Sequence, residues 1–496
     1  MAWLASRQGF ALALVATLSF RLWLSAALPV TADEAYFVLW GRYPDLGYYD
    51  HPPMIGWLLA PLVAGSDANW VARLPATLAP VLAALLLRAA LLRWFAKDEA
   101  TANLAALCVL LVPMNVWNVL VTTDAPLMVF SVAALLVFAR AAARNSSAGF
   151  LGAGVLLGFA FTSKYFAVLL ALGFLAWAIA SRHPKSFALV FLGALPAGLL
   201  NLWWNLNACW CNVMFNAINR HQDDGGWSLQ TPALYVASLA YLAAPLLWFA
   251  WRGRGDLHAA WARPAERALL LAWLLPLAVF ALLSPVKRIG LHWLLSFLPA
   301  IVATLALALE REKLETALRF LGAFALVHVA AVIALAALPL QTWKDSRLYP
   351  RLVFLAHAPE LIEAAAPGSA ALASDSYSSA AVLAYHARRK VPVFGTGSSH
   401  ARHDDILTDW REYKGRDLLV LRREPPPEAA YRPYFRSIET RRVELRGATF
   451  HAVLGRGFDY EAYRAGVLSA VRERYYRIPR WLPQGRCYFF ERYSPP

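Results

Sequence analysis

Four carboxylates and a histidine (Asp33, Glu34, Asp45, Asp50 and His51) fall within nineteen residues of a 496-residue chain. They lie in TADEAYFVLWGRYPDLGYYDHPPMIGW, residues 31–57, directly after twenty-two residues, 9–30, that carry one charge, Arg21. Acids beside a membrane are costly unless hydrated, paired or functional. Such carboxylates can take up a proton. With a histidine they can also ligate a divalent cation, although carboxylates with one histidine at these spacings carry little weight. A structural alternative has Asp33 capping a helix that starts at Glu34.

Isolated cations supply a second kind of chemistry. Lys164 stands in GVLLGFAFTSKYFAVLL, otherwise uniformly apolar. An ammonium there either snorkels or meets an anion. Arg220 and His221 in FNAINRHQDDGGW, and Lys287, Arg288 and His292 in SPVKRIGLHWLLSFLPA, are further candidates for meeting an anion; the forked guanidinium suits an oxyanion. The structural alternatives are pairing of Arg220 with Asp223 or Asp224, interfacial anchoring for Lys287 and Arg288, and packing for His292 before Trp293. Asp124 in VTTDAPLMVF either caps the next helix or joins the acids. Arg21, in mid-span, reads as a structural residue paired with an acid or a carbonyl.

Hydrophobic residues make up 59% of the chain and charged residues 16%, against about 25% charged in soluble domains. A bilayer-spanning helix needs about 20 mostly apolar residues. About eleven transmembrane helices are expected, near 9–30, 71–93, 101–119, 125–143, 149–163, 165–181, 186–204, 231–251, 268–284, 293–309 and 318–340. The two short ones flank Lys164. The first is too long for a cleaved signal peptide. Basic residues alternate between loops so that a cytoplasmic N-terminus puts loop 31–70 and the tail outside. In that loop Tyr36, Phe37, Trp40 and Tyr43 recur at helical spacing, as in an interfacial helix.

Residues 341–496 differ from the transmembrane domain 1–340. ALASDSYSSAAVLAYHARRKVPVFG reads as strand, turn, amphipathic helix and strand; DLLVLRREPPP reads as a buried strand; RSIETRRVELRGATFHAVLGRGF reads as paired strands. These form a small external α/β domain. The four cysteines make no disulfide framework, although Cys209 and Cys211 are open to oxidation outside the cytoplasm. Residues 1–340 hold 22 Lys+Arg against 15 Asp+Glu and the tail 25 against 17, so a basic tail faces either water or anionic lipid.

ADEAYFVLW…GYYDHPPMIGW resembles the first external loop of bacterial GT-C membrane glycosyltransferases, in particular the group related to protein O-mannosyltransferases and the aminoarabinose transferase of lipid A. VTTDAPLMVF, the Lys164 stretch, KRIGLHW and ASDSYSSAAVLAYH match further parts of that pattern. The resemblance implies a sugar donor on a polyprenyl phosphate, a lipid, glycan or protein acceptor, and inversion at the anomeric carbon. It assigns Asp33 as base, with Glu34 and Asp124 beside it. Lys164, Arg220, His221, Lys287, Arg288 and His292 then serve the donor phosphate, and Tyr36, Tyr49, Asp50 and His51 the acceptor or the orientation of Asp33. Some relatives place a divalent metal near these acids, which here makes Asp33, Asp50 and His51 the candidate ligands. The implied location is the periplasmic face of a bacterial inner membrane, as a monomer among membrane lipids, with no nucleic acid. The alternative is a secondary transporter or flippase, which should show repeats and polar groups at the bilayer midplane. A glycan-binding scaffold would leave Lys164 and the loop acids without a purpose.

Overall fold

The computed structural model describes residues 2–221, 226–366 and 368–494. Asp223 and Asp224, the suggested partners of Arg220, lie outside the described residues. Contacts divide the chain into two compact units.

The first unit comprises Met1–Leu28, Ser66–Leu200 and Asp224–Ala336 and is helical. Among the described residues eight helices are long and apolar enough to cross a membrane: Arg7–Ala27, Leu74–Arg93, Asp124–Arg144, Pro184–Asn207, Gln230–Arg252, Pro264–Leu283, Leu291–Ala308 and Arg311–Ala337. The other three expected spans coincide with shorter apolar helices, Glu99–Leu110, Ser147–Ser163 and Ala167–Ala180. Small residues let these helices approach closely, as membrane packing requires. A Cβ on Gly154 would stand 2.2 Å from the Val190 carbonyl oxygen, and one on Gly193 would stand 2.4 Å from that of Leu151.

Helix Glu99–Leu110 gives way to the short helix Pro113–Trp117 and an open stretch before Asp124. The released carbonyls meet Arg21, which is fully buried. Its guanidinium donates to the carbonyls of Ala76 (2.7 Å), Thr77 (2.9 Å), Asn118 (3.0 Å) and Asn115. Arg21 is therefore structural and pairs with carbonyls.

The second unit gathers Pro29–Gly65, Asn201–Asp223 and Ala337–Pro496. A single cut at residue 340 therefore does not describe the compact units, because rings of the first loop and of 204–215 share one core with the tail. Its sheet has the order β1-β2-β4-β3, with β1 Ala371–Ser374, β2 Leu418–Arg422, β3 Phe435–Leu445 and β4 Ala448–Phe458. β1 and β2 are parallel; β4 runs antiparallel to both β2 and β3. The strand expected at VPVFG is one bridge, Val393 to Ser374.

Cys209 is disulfide-bonded to Cys487, 278 residues away. The expectation that the cysteines make no disulfide is thus corrected, and of the two residues open to oxidation Cys209 is bonded and Cys211 is not. Cys211 opens helix Cys211–Ala217 as a buried thiol, 3.2 Å from the Tyr488 hydroxyl.

Candidate active site

In the second unit the first-loop acids are placed by helix Ala32–Arg42. The helix starts at Ala32, so Thr31 and not Asp33 is its cap. The Glu34 carboxylate accepts from the Thr31 N–H and hydroxyl, both at 3.0 Å, while Thr31 Oγ1 receives the Glu34 N–H. This reciprocal capping box satisfies two exposed donors. It gives Glu34, which is buried, a structural task. Asp33 stands one residue earlier, in the first turn and exposed, where its charge complements the helix dipole.

One turn further on, the Tyr36 hydroxyl donates to Asp50 Oδ1 at 3.2 Å. Asp50 is buried. Burial pushes its carboxyl up to about 7, and the negative charge of Asp33 adds to this; its own backbone N–H, the Tyr36 hydroxyl and the Arg220 charge oppose it. The two acids are thus differentiated, one in water and one held near its titration point. Tyr377 belongs to the same cluster. Its ring lies 6.0 Å from that of Tyr36. Burial raises its hydroxyl pKa, as do the charges of Asp33 and Asp50, against Arg351.

The loop is pinned from behind. Asn212 donates to the carbonyls of Tyr48, Tyr49 and His51, and Asn216 donates to that of Asp50 at 3.2 Å. Trp40 stacks on Tyr48 with centroids 4.2 Å apart. His403 packs edge-on against Tyr48 and Trp40, and burial pushes its imidazole down to about 3, so it stays neutral. The sequence reading missed Tyr377, Asn212, Asn216 and His403. The asparagines left a signal: Asn212, Asn216 and Asn219 recur at intervals of four and three, one face of a helix.

Four expected members go elsewhere. The His51 ring lies against Phe37 and Trp40, with centroids 6.2 and 6.0 Å away. Among the described residues no group of three or more His, Cys, Asp or Glu side chains could hold a metal; Asp33, Asp50 and His51 do not make one. Tyr49 is buried in the core of the unit, its hydroxyl accepting from Asn219 at 3.3 Å. Arg220 lies over Phe215, 5.5 Å from the ring centre, and reaches the Asn216 side chain. His221, exposed, approaches the Asn216 carbonyl at 2.9 Å.

In the first unit a separate cluster forms where helices break. Lys164 ends helix Ser147–Ser163 in extended conformation, before Ala167–Ala180 begins. Its ammonium lies 2.7 and 2.8 Å from the two oxygens of Asp124 and 4.8 Å from the centre of the Phe166 ring. The side chains of both members of this pair are less than 10% exposed. The anion met by Lys164 is therefore Asp124. Thr123, not Asp124, takes the cap position of helix Asp124–Arg144. His292, on the 3-10 turn Leu291–Phe297, brings Nε2 to 3.9 Å from the same carboxylate. Lys287 and Arg288 lie on the segment just before that turn, the first half-buried and the second exposed.

Residues 50–204 match the family described as dolichyl-phosphate-mannose-protein mannosyltransferase. The lipid A galacturonosyltransferase RgtD of Rhizobium johnstonii is 29% identical over 280 residues, 53% of this chain and 57% of that protein; the match thus spans less than two thirds of the relative. The crystal structure of ArnT from Cupriavidus metallidurans bound to undecaprenyl phosphate superposes with a TM-score of 0.62 at 15% identity, over 90% of this chain and 98% of that one. The apo form of ArnT gives 0.61 at 14%. The resemblance drawn from the first loop holds, and the fold is GT-C of the ArnT kind: mostly helical, multi-pass, with a small C-terminal sheet.

Proposed function

We propose that this chain of GT-C fold transfers a sugar from a polyprenyl-phosphate donor to a hydroxyl of a lipid acceptor, with inversion, at the outer face of a bacterial inner membrane. The relatives support the class: one is named for transfer to lipid A, and the other holds undecaprenyl phosphate. The acceptor oxygen bonds to the anomeric carbon as the bond from that carbon to the phosphate oxygen breaks. The lipid phosphate departs as a stable monoester and needs no proton. The proton lost by the acceptor goes to the Asp33 carboxylate. One displacement without a covalent intermediate inverts the centre, as in inverting hydrolases.

A single observation carries the assignment: Asp33 is exposed in a capped first turn, beside an Asp50 that is buried and held by Tyr36. An Asp50 poised near 7 carries a proton for part of the time at neutral pH, which spares Asp33 a second full negative charge. Glu34 fixes the turn. Lys164 receives the donor phosphate. Until then Asp124 holds its ammonium in place, and Lys287 and Arg288 add positive charge on the segment that leads to His292. Arg220 acts on Asp50 through its charge.

The test is transfer by the purified protein from an undecaprenyl-phosphate-linked sugar to lipid A, read by mass spectrometry as a one-sugar shift. Asp33→Asn should reduce turnover by about a hundredfold or more and leave donor binding intact. Unchanged turnover would remove Asp33 as the base.

A further inference from the structure

The second unit contains a cavity of about 500 Å³, bordered by Asp375, Tyr377, Thr396, Ser398, Arg422 and Tyr431. That volume suits a small ligand. Asp375 directly follows β1 and Arg422 ends β2, so the cavity opens at the carboxyl ends of parallel strands, where open α/β sheets take their ligands. Its far wall is the loop 395–398. Gly395 and Gly397 have φ of 95° and 60°, which side-chain-bearing residues rarely adopt, and a Cβ on Gly395 would meet nothing within 4 Å. The loop is held from below: the buried Arg402 donates to the carbonyls of Thr396 (2.7 Å) and Ser398 (3.1 Å) while bound to Asp405. The cavity wall is thus built in advance, which limits the ordering lost on binding.

Charge decides what the cavity takes. Arg422 lies 3.3 Å from Asp375 and also donates to the Tyr431 hydroxyl (2.8 Å) and the Glu424 carbonyl (2.7 Å). The cation is neutralised and most of its donors are engaged, so an anion gains little here. An uncharged polyhydroxyl ring gains more. Asp375 can accept from its hydroxyls, Ser398 and Thr396 can donate or accept, and the tyrosines offer apolar faces with polar tips. Tyr377 links the cavity to the acids, since its hydroxyl feels the charges of Asp33 and Asp50.

We infer that this cavity is a saccharide subsite for an uncharged sugar ring of the acceptor. Saccharide binding stands on the cavity alone; the assignment to the acceptor rests on the transfer reading above.

The experiment uses the full chain in detergent, with N-acetylglucosamine and glucose as neutral probes and inorganic phosphate as the anionic one, followed by saturation-transfer NMR. Neutral sugars should bind and phosphate should not displace them. Thr396→Trp and Ser398→Trp, at exposed positions that tolerate bulk, should weaken sugar binding about tenfold or more by filling the space. Asp375→Ala should weaken it by a similar factor through loss of a charged acceptor. Asp33→Asn should bind sugar as the parent chain does. Failure of neutral sugars to bind, displacement by phosphate, or unaltered binding in both tryptophan variants would overturn the subsite. Sugar binding without any transfer by the parent chain would sink the transfer reading and leave the subsite standing. Transfer with an unchanged acceptor KM in Thr396→Trp would sink the acceptor assignment and leave the transfer reading standing.

Discussion

The Lys164–Asp124 pair can be tested by a double-mutant cycle that separates its structural work from donor binding. At 2.7 Å and an effective dielectric of about 20, the attraction is roughly 6 kcal/mol. Desolvation of two buried groups cancels part of it. Removing one partner leaves the other as an uncompensated buried charge, at a cost of about 3–5 kcal/mol. Lys164→Met and Asp124→Asn should therefore each lower the thermal midpoint followed by tryptophan fluorescence in detergent. The double variant should recover most of the loss, with a coupling of about 3 kcal/mol at the top of the usual range. Donor affinity should follow a different order. Lys164→Met and the double variant should bind a polyprenyl-phosphate sugar about tenfold more weakly, the loss of one charged hydrogen bond. Asp124→Asn should bind it at least as tightly as the parent, because the competing carboxylate is gone. A double variant with the parent's donor affinity would refute Lys164 as a phosphate ligand. A coupling near zero would refute the energetic pair itself.

Asp50 makes stability depend on pH. Its carboxyl titrates near 7 in the folded chain, against roughly 4 when unfolded. The folded state thus holds a proton that the unfolded chain has released. This contribution is fully present below about pH 4 and is lost as pH rises through 7. Asp50→Asn should flatten the thermal midpoint across that window and stabilise the protein above it; a parallel profile would contradict the burial argument. Gly154→Ala should lower the midpoint by the equivalent of about 1–3 kcal/mol or more, since its Cβ would meet a backbone oxygen at 2.2 Å; a neutral result would refute the close crossing. Cys209→Ser, or reduction of the parent, should cost about 2–5 kcal/mol, whereas Cys211→Ser should leave the response to reductant unchanged.

Much of the architecture was legible because its signals are local. Eight of the expected spans coincide with helices long enough to cross a membrane among the described residues, since some twenty apolar residues between charged loops can bury their backbone polar groups only that way; the other three fall on shorter apolar helices, and that expected at 101–119 breaks after Leu110. The strands of ALAS and LLVLR follow from short apolar runs bounded by polar and turn residues, and the 435–458 hairpin from two strand-like stretches around the turn at Arg446 and Gly447. The types of Asp33, Asp50 and Lys164 likewise marked them as candidates, because ionisable groups in apolar surroundings need a partner or a task. Where those side chains point is a different kind of fact. Thr31 rather than Asp33 caps the first-loop helix because the chain begins to wind two residues earlier, at Ala32. Lys164 meets Asp124 across forty residues, Cys209 reaches Cys487 rather than its near neighbour, and Tyr49 turns into a core while Tyr36 turns towards an acid. Those outcomes depend on which distant segments pack together, and a linear pattern contains no such term. The sequence alone determined the fold class and the residue types available for chemistry. Only the tertiary structure decided their partners, their burial and thereby their charge, because desolvation and ion pairing are properties of surroundings assembled from the whole chain.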